Sequence, residues 1–147
     1  MLRIAVLGAA GRMGRAVLSC VFEADDLALA GAVIEPSDRL LGRDAAELVG
    51  MDAVGVPLTD ERKQALHSAQ AAIDFTLPSA TEANLKACIE SGTALVIGTT
   101  GLEDRQRKAM EKAASEIPIV YARNMSVGVN VFMDLVGRTA QIGRAHV

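Results

Sequence analysis

The amino-acid sequence predicts a doubly wound parallel α/β fold, and three observations carry that prediction. Short aliphatic runs alternate with helical patterns along the chain, as in folds built from strand–helix–strand units. The first run, residues 4–7, is continuously apolar, which is typical of a strand buried on both faces. A glycine-rich turn joins that run to the first helical pattern.

Strands and helices are placed by apolar runs, glycine and proline breaks, and capping residues. Strands are predicted at residues 4–7, 27–34, 71–75, 93–97 and 117–121. Helices are predicted at residues 12–22, 59–69, 82–91 and 103–115, with a last helix starting near Ser126 or Val127. We expect Thr59 or Asp60 to cap the second helix and Ser79 or Thr81 to cap the third. Residues 40–49 are expected to form a short helix or an ordered loop.

Composition predicts one globular domain and argues against several classes of function. The chain has 147 residues, half of them hydrophobic, and a formal charge of −3 at pH 7. That charge gives no reason to expect nucleic acid or an anionic membrane as a partner. No apolar run approaches a membrane-spanning length, so we expect a cytoplasmic protein. Cys20 and Cys88 form neither a metal pair nor a C-x-x-C motif; we expect two buried, reduced thiols and no metal site.

The turn after the first strand has the pattern of an anion site. Gly8, Gly11 and Gly14 give the spacing G-x-x-G-x-x-G, with Ala10 where the common dinucleotide pattern has its middle glycine. Unpaired amides at the start of the following helix, together with the helix dipole, favour a phosphate group. The alternative is an ordinary glycine turn. The acid Glu35, after the next apolar run, favours the phosphate site.

Glu35 ends the second predicted strand, where a carboxylate can accept both hydroxyls of an adenosine ribose. A solvated loop acid is the alternative for this residue. Glu35 would repel a 2′-phosphate, although Arg39 is close enough in sequence to fold back and offset that repulsion. We therefore expect NADH as the first-choice cofactor, with NADPH as the alternative.

Other strand ends supply candidate residues at the same edge of the sheet, where open α/β sheets bind ligands. The fourth strand ends in a second glycine turn, residues 98–101, whose hydroxyls and amides can meet a ribose or a nicotinamide. Asp74 lies within the otherwise apolar third strand. Because a buried carboxylate needs a hydrogen-bond partner, we expect a nearby loop amide to donate to it.

Three motifs in order along the chain closely resemble the N-terminal half of the dihydrodipicolinate reductases. They are GAAGRMG at residues 8–14, VIGTTG at residues 96–101 and ARNMSVGVNV at residues 122–131, with DFT at residues 74–76 between them. The resemblance implies a Rossmann-type NAD(P)-binding domain over residues 1–141. It also implies a reductase that uses NADH or NADPH to reduce 4-hydroxy-tetrahydrodipicolinate in the diaminopimelate route to lysine, and homo-oligomers of the full-length members.

The resemblance implies which residues bind the cofactor. The glycine turn would hold the pyrophosphate, Glu35 the adenosine ribose, and two later segments the nicotinamide end. The candidate residues, with Arg39 added as the 2′-phosphate contact, are Gly8, Ala9, Ala10, Gly11, Arg12, Met13, Glu35, Arg39, Gly98, Thr99, Thr100, Ala122, Arg123, Asn124 and Met125. In many members a basic residue directly follows the ribose acid. Pro36 at that position argues against strong use of NADPH.

The same family places a substrate domain after the last helix, carrying the proton donor and the substrate-binding groups. This chain does not contain it, so we predict a fragment that is inactive alone and has no catalytic residue. Residues 142–147 do not continue the apolar helical pattern and match a translated sequencing adapter, so we expect a non-native tail. Two alternatives stay open: a non-catalytic Rossmann module that senses nicotinamide redox state, and another two-domain dehydrogenase with the same glycine turn.

Overall fold

The computed structural model describes the backbone of residues 1–144 and the side chains of residues 1–140. In that part of the chain, six parallel strands form one sheet in the order β3-β2-β1-β4-β5-β6. The strands are β1 (Leu2–Leu7), β2 (Leu27–Val33), β3 (Leu58–Thr59), β4 (Ala71–Asp74), β5 (Ala94–Ile97) and β6 (Ile119–Tyr121). The helices are α1 (Arg12–Glu23), α2 (Arg62–Leu66), α3 (Thr81–Ser91), α4 (Asp104–Ala113) and α5 (Val127–Arg144), with 3-10 helices at Ala45–Val49 and Pro78–Ala80.

The order of the strands confirms the predicted doubly wound fold. The chain moves outward from β1 to β2 and β3, then returns past β1 to β4 and continues to β5 and β6. The direction therefore reverses between β1 and β4, which pair from Ile4 opposite Ala71 to Leu7 opposite Asp74. Loops leaving the carboxyl ends of these two strands diverge, and the crevice between them is where such sheets bind ligands.

Both faces of the sheet are covered, because successive side chains of β1 point into different cores. Ile4 and Val6 pack in a cluster with α1, whereas Ala5 and Leu7 pack in a second cluster with α2, α3 and α4. None of these four side chains is more than 4% exposed. The continuous apolar run thus marks a strand buried on both sides, as predicted.

The region before β4 differs from the prediction. Strand β3 was missed because Leu58 and Thr59 are too short a run to indicate a strand. The second helix spans only Arg62–Leu66 instead of residues 59–69, and Glu61 rather than Thr59 or Asp60 precedes it. Thr59 instead orders the preceding turn, since its Oγ1 accepts a hydrogen bond from the Glu61 amide at 3.0 Å.

Neither Ser79 nor Thr81 caps α3, contrary to the prediction. Pro78–Ala80 forms a 3-10 helix that runs directly into α3, with Ala80 at the N-cap position and no side-chain cap. Thr81 is the first residue of α3 and is fully buried. The entry into α3 is therefore set by the 3-10 turn and by burial rather than by a capping hydroxyl.

The two cysteines lie in different surroundings. Cys88 is buried as expected, but Cys20 is exposed, so the prediction of two buried thiols was wrong for Cys20. Helix α1 buries Gly14, Leu18 and Val21, and Cys20 falls outside that stripe. Burial, together with the charge of Asp74, raises the pKa of the Cys88 thiol to about 12. That thiol therefore stays protonated at neutral pH.

Helix α5 begins at Val127, as predicted, and carries exposed apolar side chains. Phe132 and Met133 are each 62% exposed, and Leu135 is 55% exposed. No helix within the described residues is both long and apolar enough to cross a membrane. The expected non-native tail, residues 142–147, lies outside the residues whose side chains are described.

Candidate functional site

The glycine turn between β1 and α1 is tied to the end of β2. Gly8 has a φ of 84°, a left-handed conformation that favours glycine. The amides of Gly8 and Ala9 both donate to the carbonyl of Val33, each at 2.9 Å. Ala9 is also fully buried. The amides of these two residues are therefore used to hold the turn against the sheet.

The next residues leave amides free at the crevice. The Gly11 amide closes the turn by donating to the Gly8 carbonyl at 3.1 Å. Within residues 1–144, the amides of Ala10, Arg12 and Met13 donate to no protein acceptor. The first turn of a helix normally leaves such donors unpaired, and the positive end of its dipole lies among them. This end of α1 can accept an anion.

Gly14 determines how closely α1 approaches the turn. An added Cβ would lie 2.1 Å from the Gly8 carbonyl oxygen and 2.7 Å from the Ala9 Cα. Because both neighbours are backbone atoms of the turn itself, only glycine fits without moving the helix. The third glycine of the motif thus permits close helix–strand packing, which brings the free amides to the crevice.

Two adjoining clefts open at this edge of the sheet. The first has a volume of about 440 Å³ and is lined by the glycine turn, the end of β2 and parts of α2 and α3. Its charged lining residues are Glu35, Asp38, Asp60 and Arg62. Among the described residues that line it, Arg62 is the single cation. Glu35 follows the end of β2, is exposed and lines this cleft. Its binding to the hydroxyls of a ribose stays a prediction.

The second cleft has a volume of about 710 Å³ and opposite charge. Residues 98–100 after β5 and residues 122–125 after β6 line it, together with Arg12 and Met13 of α1. Two guanidinium groups, those of Arg12 and Arg123, belong to its described lining, which holds no carboxylate. This end of the site favours neutral or anionic groups.

The two clefts form one continuous groove. Gly11, Phe75 and Thr76 line both of them, so the boundary between the clefts is the glycine turn on one side and the β4–α3 loop on the other. A two-armed ligand with a central anion would place the anion before α1 and one arm in each cleft. The arrangement lies at the switch point between β1 and β4.

A buried carboxylate organises residues of both clefts. Asp74 is fully buried, and its Oδ1 accepts hydrogen bonds from the Thr76 amide at 2.8 Å and the Thr76 hydroxyl at 2.6 Å. Its Oδ2 accepts from Nδ2 of Asn84 at 2.9 Å. The Thr99 hydroxyl donates to the Thr76 carbonyl at 3.0 Å, which ties the β5 turn to the same loop. The predicted loop-amide partner of Asp74 is thus confirmed.

The segment between β6 and α5 is held by its own polar side chains. Oδ1 of Asn124 accepts a hydrogen bond from the Ser126 amide at 2.8 Å. Nδ2 of Asn130 donates to the carbonyls of Asn124 at 3.0 Å and Ser126 at 2.9 Å. These bonds fix the turn that lines the second cleft and leads into α5.

The groove contains every predicted site residue except two. Ala9 is buried behind the turn, and Arg39 is exposed outside both clefts. Sequence reasoning missed Phe75, Arg62 and Asn84. Phe75 could have been found from the sequence, because it is the last residue of a predicted strand. Arg62 and Asn84 lie inside helices, where no local motif marks them.

The described residues contain no cluster of three or more His, Cys, Asp or Glu side chains that could hold a metal ion. The groove itself presents backbone amides, hydroxyls and single charged groups. These groups can bind and orient a ligand that has hydroxyls at one end and anionic charge at its centre.

Comparison with known sequences identifies the family. The family model described as dihydrodipicolinate reductase, N-terminus, matches residues 2–125. The 4-hydroxy-tetrahydrodipicolinate reductase of Alkalilimnicola ehrlichii is 50% identical over 133 residues, covering 90% of this chain and 50% of that protein. The enzyme of the same name from Acinetobacter baumannii strain AYE is 45% identical over 140 residues, covering 95% and 51%. The chain thus spans about half the length of the curated relatives it matches.

Solved structures agree on the fold. A dipicolinate-bound dihydrodipicolinate reductase from Paenisporosarcina sp. TG-14 superposes with a TM-score of 0.76 at 22% identity, covering 95% of this chain and 54% of that one. A homoserine dehydrogenase from S. aureus superposes with a TM-score of 0.59 at 16% identity, covering 82% and 32%. The sequence relatives and the matched family model together establish that this chain belongs to the dihydrodipicolinate reductase family and corresponds to its N-terminal domain.

Proposed function

We propose that this chain is the nicotinamide-dinucleotide-binding domain of a reductase that converts 4-hydroxy-tetrahydrodipicolinate to tetrahydrodipicolinate in lysine and diaminopimelate biosynthesis. The cofactor is NADH or NADPH. The dinucleotide domain extends over residues 1–141, and residues 142–147 are a non-native tail. We also propose a cytoplasmic location, because the names of the relatives describe a reductase of a small polar metabolite.

One observation carries the binding proposal: a cradle of free amides at the middle of a two-ended groove. The amides of Ala10, Arg12 and Met13 lack protein acceptors within the described residues. A Cβ on Gly14 would collide with the turn that presents them. Free donors and absent side chains are what a pyrophosphate requires of the backbone. The residues present therefore fit a dinucleotide.

Each end of the groove has its own binding role in this proposal. Glu35 accepts the hydroxyls of the adenosine ribose in the first cleft. The hydroxyls and amides of residues 98–100, and the segment 122–125, hold the nicotinamide end in the second cleft. Thr99 is positioned for this by its hydrogen bond to the β4–α3 loop. In this proposal the domain binds and orients the cofactor.

A bound reduced nicotinamide would supply a hydride to an unsaturated carbon of the substrate. No residue of this chain is proposed as the proton donor. That group, and the substrate-binding groups, are proposed to come from the half of the reductase that the chain does not span. The isolated chain is therefore expected to bind the cofactor without turning over substrate.

Titration calorimetry of the purified chain with NADH and NADPH tests the proposal. Gly11 occupies the N-cap position of α1, with φ −70° and ψ 167°. Asp is a favoured N-cap residue, so Gly11→Asp should fold while placing a carboxylate in the anion cradle. We expect this variant to bind both cofactors at least about tenfold more weakly than the wild type, because about 1.4 kcal/mol of repulsion lowers an affinity tenfold.

Gly137→Asp is the matched control. It makes the same charge change on α5, where an added Cβ meets nothing within 4 Å. The control should bind like the wild type. A folded wild-type chain that binds neither cofactor would contradict the proposal, as would equal binding by Gly11→Asp and wild type.

A further inference from the structure

The first cleft contains an arginine that the sequence did not indicate. Arg62 is the first residue of α2, half-buried, and part of the cleft wall. Its Nε donates a hydrogen bond to Oδ1 of Asn84 at 2.6 Å. Asn84 is 1% exposed and is itself held by Asp74, through Nδ2 to Oδ2 at 2.9 Å. The guanidinium therefore has a fixed support in the core.

The other donors of this guanidinium are available to a ligand. Within the described residues, Arg62 forms no ion pair, and its terminal nitrogens make no hydrogen bond. A guanidinium carries five N–H donors, of which the bond to Asn84 uses one. Planar, forked donors of this kind match the oxygens of a phosphate.

The charges around Arg62 constrain which ligands the first cleft can bind. Glu35, Asp38 and Asp60 line the same cleft, and each carries a carboxylate. A phosphate entering beside three carboxylates would be repelled unless a cation offsets them. Arg39, the expected cation, is exposed and lies outside the cleft lining.

We propose that Arg62 is the residue that binds the 2′-phosphate of NADPH in this chain, and that Glu35 serves the free 2′-hydroxyl of NADH. The inference rests on the proposed dinucleotide-binding function and assigns its cofactor specificity. Asn84 acts as a positioning residue, because its amide oxygen accepts the hydrogen bond that orients the Arg62 guanidinium.

Small fragments of the cofactor isolate this end of the groove. We would titrate the chain with 2′,5′-ADP, which carries the phosphate, and with 5′-AMP, which lacks it. Arg62→Gln removes the charge and keeps an amide that can bond to Asn84. We expect this variant to lower the affinity for 2′,5′-ADP at least about tenfold and the affinity for 5′-AMP less than about threefold. The same difference should appear between NADPH and NADH.

Two variants complete the test. Arg39→Gln makes the same charge change outside the cleft and should leave all four affinities within about twofold of wild type. Arg62→Lys should restore part of the preference for 2′,5′-ADP, because it keeps the charge but loses the fork. In the wild type, the ratio of the affinities for 2′,5′-ADP and 5′-AMP should fall as the salt concentration is raised. In Arg62→Gln the same ratio should change little.

The failures are distinguishable. Equal weakening of 2′,5′-ADP and 5′-AMP by Arg62→Gln would overturn the assignment and leave dinucleotide binding intact. A selective loss of affinity for 2′,5′-ADP in Arg39→Gln would overturn the assignment of Arg62 and indicate Arg39 as the phosphate-binding residue. A folded wild-type chain that binds neither cofactor would overturn the proposed function and this assignment together.

Discussion

The two glycine turns of the groove look alike in sequence but are crowded by different neighbours. In the first turn, a Cβ on Gly14 would lie 2.1 Å from the Gly8 carbonyl oxygen, a backbone atom. In the second, a Cβ on Gly98 would lie 2.0 Å from Cε1 of Phe75, a side-chain atom. Both positions exclude larger residues as the chain stands. Only the second has a neighbour that can rotate away.

This difference separates what the fold requires from what the ligand requires. The first turn is fixed by contacts between α1 and its own connecting loop. A substitution that disrupts those contacts should therefore destabilise the whole domain. The second turn is shaped by Phe75, a partly buried ring that lines both clefts. Damage there should change the groove more than the stability of the domain.

The largest expected effect is that of Gly14→Ala. Overpacking backbone against backbone has no side chain to absorb it, and we expect a loss of about 3 kcal/mol or more in the free energy of unfolding. Denaturant unfolding followed by circular dichroism measures it. Gly137→Ala, the same change in a helix with open space around it, should instead stabilise by about 0.5–1 kcal/mol. Similar stabilities for the two variants would show that the turn accommodates a Cβ at Gly14.

Asp74 should come next, because it supports the loop between the two turns. Asp74→Asn places an amide among the donors of Thr76 and Asn84, and we expect a loss of about 2 kcal/mol in the free energy of unfolding. Asp134→Asn is the control: this exposed aspartate pairs with Arg138 on α5, and its loss should cost less than about 0.5 kcal/mol. Equal effects would mean that the buried network contributes no more than a surface pair.

Gly98→Ala should have a smaller effect on stability and a selective effect on binding. Because Phe75 can move, we expect about 1 kcal/mol of destabilisation. Binding of NADH should weaken about tenfold, whereas binding of 5′-AMP should change less than threefold. Adding Phe75→Leu should recover part of both losses, and a double-mutant cycle would measure the coupling. Additive losses would show that Phe75 is not the neighbour that matters.

The smallest effect lies outside both turns, at Asp44. Hydrogen bonds from the amides of Ala46, Val54 and Gly55 hold the pKa of this carboxyl below its usual 3.8. A lowered folded-state pKa adds stability that is present above the unfolded value and is lost as pH falls through the folded one. The stability difference between wild type and Asp44→Asn should therefore narrow below about pH 4. A difference in the free energy of unfolding that stays constant as the pH falls below about 4 would contradict a stabilising role for the Asp44 carboxylate.

Local sequence patterns predicted the fold because most strands contain a short, mainly aliphatic run, such as residues 4–7 of β1 and Ala94–Ile97 of β5. Strand β3 escaped because Leu58 and Thr59 owe their pairing to neighbouring β2, not to their own pattern. The glycine turn and Glu35 could also be found from the sequence, because each comes at the end of a predicted strand. Arg62 and Asn84 could not, because the fold brings them together across 22 positions of sequence through a hydrogen bond between two helices.

Because Cys20 is exposed and Cys88 is buried, thiol labelling can report transient opening of the core. A maleimide dye added at pH 7 should attach quickly to Cys20 and leave Cys88 untouched, since that thiol is buried and has a pKa of about 12. A second dye molecule can enter only when α3 separates from the sheet. The rate of the second labelling event, followed by mass spectrometry, would therefore measure how often the core behind Asp74 is exposed, and how far a bound dinucleotide slows that opening.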